Sequence, residues 1–157
     1  MTKLTQDKLM LARALDPERI ESVKAGIIAA LVGFAVSVVF VGIDSLLVGG
    51  GALTQALLLQ AIRRIVVGTV CCFLFGVTYR YIIRQDPNPH LRSGAVGAFA
   101  LTRSLSQLET IQISELTSAV TLSMVMVESF GLFLSVRLVL DLGLKQQWLR
   151  PFVGMAD

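Results

Sequence analysis

The chain has 157 residues and a mass of 17.0 kDa, which is room for one domain. It is 54% hydrophobic and 16% charged, with a mean hydropathy of +0.72, whereas a soluble domain is about 25% charged. This composition excludes disorder, argues against an ordinary soluble globule and reads as an integral membrane protein. One His and two Cys are too few for a metal cluster. The net charge of +3 fits membrane orientation better than nucleic-acid binding.

Residues 1–15 mix Leu4, Leu9, Met10, Leu11 and Leu15 with Lys3, Asp7, Lys8 and Arg13. They predict an amphipathic arm that lies on the membrane surface or orders against a partner. No cleavable signal is expected, because the first apolar run begins only after residue 24 and charges precede it. Asp16-Pro17-Glu18 is a helix start: Asp can cap, Pro suits the first helical position, and Glu suits the positive end of the dipole. The chain from 16 to 145 is read as a transmembrane bundle, and 146–157 as an interfacial tail.

Ala25–Ile43 carries no charge and is bounded by Lys24 and Asp44, long enough to span. Gly26, Ala30, Gly33 and Ser37 recur along it with the spacing that lets another backbone approach. Gly49-Gly50-Gly51 predicts a turn. Residues 53–84 form either one long second helix or a half-helix followed by a spanning one. Gly68, Cys72 and Gly76 repeat at i+4 within it, a second close-packing stripe. Cys71 and Cys72 are adjacent and sit in an apolar run. Pairing them would strain the backbone, so they read as small buried thiols.

Asp86-Pro87-Asn88-Pro89-His90 is the strongest break, a polar loop that should leave His90 in solvent. A third segment covers Ser93–Thr110 and contains Arg103. A fourth runs Leu116–Leu140, interrupted by Glu128 and Arg137. Segments one plus two and three plus four suggest two hairpins. Trp148 and Phe152 among Lys145 and Arg150 give the tail its interfacial character. The expected fold is all-α, with spans near 23–47, 60–84, 93–111 and 115–142.

With four spans, both termini and the middle loop share a side. That side collects Lys3, Lys8, Arg13, Arg19, Lys24, Arg80, Arg84, Arg92, Lys145 and Arg150, whereas the loop near 109–115 offers Glu109 and Glu115. The positive-inside rule places both termini on the cytoplasmic or equivalent side. Arg63 and Arg64 dissent: facing lipid they contradict four spans, while facing a partner or the interface they do not. Asp44 is read as the outer end of the first helix.

No nucleophile elbow, zinc-protease motif, phosphate-binding glycine loop or Cys/His pair occurs, so no enzyme is expected. The informative residues are charges inside apolar segments, which cost roughly 2.5–3.5 kcal/mol each at a helix centre and therefore find partners. On the fourth segment Thr117, Thr121, Met124, Glu128, Gly131 and Ser135 fall on a small, polar face expected to turn inward. Leu116, Val120, Val127, Phe130, Leu134 and Leu138 form a lipid or partner face. On the third, Arg103 shares a face with Ala100, Ser106, Gln107 and Thr110. Arg103 lies about 15 Å from the inner side, and Glu128 lies about 21 Å from the outer side, which leaves about 9 Å in a 30 Å core. An extended Arg and helix tilt bridge the difference. An intramembrane Arg103–Glu128 pair is expected, either stapling helices three and four or serving a proton or ligand path.

The run RYIIRQDPNPHLRSGAVGAFALTRSLSQLE (Arg80–Glu109) resembles a group of small multispanning proteins of cyanobacterial thylakoids and chloroplasts. These share a basic helix end, an Asn-Pro loop and a Gly/Ala-rich segment bearing an Arg, in that order. The resemblance implies a photosynthetic membrane, the thylakoid or plasma membrane of a cyanobacterium, and transfers no activity. The function expected from the residues is a non-catalytic accessory or assembly subunit of a larger membrane complex. The alternative is a small oligomeric transporter or channel using Arg103 and Glu128. Membrane lipid and other membrane subunits are the partners expected, and a bound lipid or pigment is compatible with either. A membrane enzyme acting on lipid or quinone lacks its nucleophile, metal and acid–base sets.

Overall fold

A computed structural model describes residues 17–47, 55–82, 89–109 and 119–148. The N-terminal arm, the triglycine and the end of the tail lie outside them. All four described elements are helices: α1 (Pro17–Leu47), α2 (Gln55–Ile82), α3 (Pro89–Leu108) and α4 (Ala119–Lys145). Three of them, α1, α2 and α4, are long and apolar enough to cross a membrane, so the chain is a membrane helix bundle. The remaining helix, α3, is shorter, at 20 residues, and more polar.

The helix starts follow local chemistry. Pro17 opens α1 and Pro89 opens α3; at the first helical position proline lacks only an N–H that would have no helical partner. The prolines therefore do different work from the loop expected across Asp86–His90. Pro89 already belongs to α3, and exposed His90 sits in its first turn. The second segment is one uninterrupted helix, not a half-helix joined to a span. α4 stops in a Schellman turn: Trp148 N–H donates to Gly143 C=O at 3.0 Å and Gln147 N–H to Leu144 C=O at 3.2 Å. Gln147 takes the left-handed position with φ 59°, the place usually given to glycine.

Ser22 faces Arg80 and Asp44 faces Arg64, so α1 and α2 are antiparallel. Ser93 faces Arg137 and Arg103 faces Glu128, so α3 and α4 are too. The most extensive packing is within these two pairs; α1 also packs on α4, and α3 on α2. The helices thus close into a ring with α1 and α3 diagonal.

The α1–α2 seam is very close. A Cβ added to Gly33 would lie 2.5 Å from Cys72 Cβ and Sγ, and one added to Gly76 would lie 2.5 Å from Ala29 Cβ and 2.7 Å from the Ala25 carbonyl. Gly26 lies against the Phe73 ring and Gly68 against Ser37 Oγ. The stripe differs from expectation at one position. Ala29, not half-buried Ala30, fills the seam, because at 3.6 residues per turn the i+3 neighbour of Gly26 can lie nearer the contact line than i+4. Both cysteines are free, Cys72 buried and Cys71 half-buried.

The centre of the bundle is aromatic. Phe75 of α2 lies 5.3 Å from Phe99 of α3 and 5.3 Å from Phe133 of α4, ring centre to ring centre, and stacks on Tyr79 at 5.2 Å. Ala29, Cys72, Ala100, Leu132 and Val136 fill the space around it. The outer faces are apolar and exposed, as lipid contact requires, for example Leu31, Val39, Leu59, Val70, Val127 and Leu138.

Candidate functional site: a four-helix charge cluster

On α3, Ala100, Arg103 and Gln107 recur at helical spacing, which turns the Arg103 guanidinium toward the bundle. On α4, Glu128 and Ser129 lie one turn before Leu132 and Phe133. The structure brings Arg103 Nη2 to 3.0 Å from Glu128 Oε1. Both side chains are buried, 4% and 9% exposed, where a lone charge could not be sustained. Gln107 adds a longer amide contact to the same carboxylate oxygen at 3.5 Å, and Ser129 Oγ contacts Gln107 at 3.4 Å.

Two further charges join this pair. Arg64 of α2 donates through Nη2 to Glu128 Oε2, and through Nη1 to Asp44 of α1 at 2.8 Å. The result is a chain Asp44–Arg64–Glu128–Arg103 with one residue from each helix, alternating in sign and neutral in sum. Asp44 thus does more than mark the end of the first helix. Of the two dissenting arginines, Arg64 turns inward, while Arg63 is exposed. Sequence spacing contains the signal for both additions. Arg64 is one helical repeat before Gly68, Cys72 and Gly76, and Asp44 is seven residues after Ser37, so each charge extends a close-packing stripe.

Gly68 makes the approach of Arg103 possible. Its missing Cβ would lie 2.8 Å from Ser37 Oγ and 3.4 Å from both terminal guanidinium nitrogens of Arg103. Arg103 Nε and Nη1 and Ser37 Oγ have no hydrogen-bond partner among the described residues.

The predicted faces of α4 need correction. Met124 is 54% exposed and does not share the inward face with Glu128. That face continues through Ser129, Leu132, Phe133, Val136 and Leu140, because the centre of the bundle demands volume against Phe75 and Phe99 more than small polar groups. Val120, Val127, Phe130, Leu134 and Leu138 are exposed as expected. Thr117 and Leu116 lie outside the described residues, as does Thr110 of the α3 face, and Ser106 is exposed where Arg103 is buried.

A second polar group lies at the opposite end of the bundle. Tyr79 Oη donates to Asp141 Oδ1 at 2.8 Å. Arg92 Nη1 lies 3.5 Å from the same oxygen, and Arg137 Nε lies 3.6 Å from Oδ2. Arg80, buried, donates to Ser22. Among the described residues no three His, Cys, Asp or Glu side chains gather as a metal site.

No family model, curated protein or solved structure matches the chain.

Proposed function

We propose that this protein is a non-catalytic accessory or assembly subunit of a larger membrane complex, in a photosynthetic membrane. The observation that carries the reading is the pairing of Asp44, Arg64, Glu128 and Arg103 across all four helices. Two cations matched by two anions use their charge on each other, which suits a staple that fixes one arrangement of helices. The aromatic layer beside it leaves the bundle centre filled, and the apolar outer faces offer surface to neighbouring subunits as well as to lipid.

Native purification in mild detergent, followed by a mass-spectrometric inventory of what copurifies, tests the proposal. A stoichiometric membrane partner is the expected result. A chain recovered alone sinks it.

The alternative of a small oligomeric transporter or channel is favoured by one feature, the buried Arg103 nitrogens that have no hydrogen-bond partner among the described residues. Solute or ion flux into proteoliposomes, abolished by Glu128→Gln, would support that alternative over the staple.

A further inference from the structure

The end of the bundle opposite the charge cluster carries an uneven balance. Arg92 from α3 and Arg137 from α4 share one carboxylate, Asp141, so the group has one positive charge in surplus. The arginine contacts of 3.5 and 3.6 Å are at the outer limit of hydrogen bonding, while Tyr79 makes the short bond at 2.8 Å. Asp141 therefore engages few of the guanidinium donors, five on each arginine, and Arg137 Nη1 donates a further one to Ser93 Oγ at 3.3 Å. Arg92 Nε is buried without a partner among the described residues. The two arginine side chains are 30% and 21% exposed, open enough to be reached from outside. Arg92 also stands in the first turn of a 20-residue helix, where the dipole favours a negative group.

From this we propose that Arg92 and Arg137 form a headgroup site for an anionic phospholipid. The planar guanidinium forks match the oxygens of a phosphodiester, and basic pockets between membrane helices are known to hold such headgroups. On α4 the site lies near the end of the candidate span Leu122–Lys145. Lys145 is one turn beyond Asp141, and exposed Trp148 follows in the turn that ends α4. Exposed Leu91, Leu138 and Leu142 flank it, which gives acyl chains an apolar surface and favours a lipid over free phosphate as the source of the oxyanion.

The test uses the full chain in mixed micelles holding equal amounts of phosphatidylglycerol and phosphatidylcholine, with retained lipid read by native mass spectrometry. The wild-type chain should retain phosphatidylglycerol several-fold over its share. The double variant Arg92→Gln/Arg137→Gln should lose that enrichment. Asp141→Asn removes the competing carboxylate and should raise it, which a purely structural ion pair would not do. Displacement of the lipid by inorganic phosphate would keep the oxyanion site and identify the soluble ion as a second source. Equal retention of both lipids, or enrichment unchanged in the arginine variant, overturns the proposal. Should the arginine variant fail to fold, unchanged or lower enrichment in Asp141→Asn overturns it instead.

Discussion

At the scale of single residues, the charges of the cluster are unequal in what they hold. Glu128 is the partner of both Arg64 and Arg103. Asp44, 40% exposed, pairs with Arg64. Removing one member of a buried pair typically costs about 3–5 kcal/mol, whereas replacing both by apolar groups can be nearly neutral. Glu128→Leu, which strands the Arg103 guanidinium and leaves Arg64 with Asp44, should therefore lower stability in detergent most. Arg103→Leu should follow, and Asp44→Leu should cost least. Arg103→Leu/Glu128→Leu leaves the Arg64–Asp44 bridge intact and balanced, and should recover much of the loss. Thermal unfolding of the four variants is the measurement. Additive effects of the two single substitutions would mean that the residues do not act on each other.

At the scale of elements, the seam between α1 and α2 depends on absent side chains. Gly76→Ala would press a methyl against the Ala25 carbonyl and Ala29 Cβ, neither of which can swing aside, and overpacking of this kind costs about 1–3 kcal/mol. Gly94 and Gly97 of α3 have open space around the position of a Cβ. Alanine there should be neutral or stabilise by up to about 1 kcal/mol through helix propensity. Paired measurements of melting temperature for Gly76→Ala and Gly94→Ala check the contrast, and Ala29→Gly should return part of what Gly76→Ala loses. The seam was legible in the sequence because small residues at 3/4 spacing have few other uses in an apolar helix. The choice between Ala29 and Ala30 was not, since it depends on the rotation of α1 against its neighbour. The same applies to Arg63 and Arg64. Adjacent in sequence, they differ by about 100° around the helix, and only packing decides which one meets Glu128.

At the scale of the whole molecule, run lengths and breaks were enough to give four helices in two antiparallel pairs. Depth arithmetic along α3 and α4 put Arg103 within about 6 Å of Glu128 along the membrane normal, a gap an extended arginine and helix tilt can bridge. It could not show that α1 and α2 deliver charges to the same level, because their loops and tilts are set by packing. The alternating inside and outside ends predict that Thr5→Cys and Asn88→Cys, introduced singly in a chain with Cys71 and Cys72 replaced, react with an impermeant thiol reagent from the same side of the membrane. Reaction from opposite sides would refute the four-span arrangement.

The aromatic layer of Phe75, Phe99 and Phe133 separates the cluster around Glu128 from the group around Asp141, thirteen residues further along α4, or about 20 Å. Fields of individual charges are strong in such a medium, yet a proton moves only where a donor and an acceptor stand within bonding reach. Three phenyl rings offer neither. They act as the insulator between two plates, an apolar layer that keeps the two charged ends of the bundle apart.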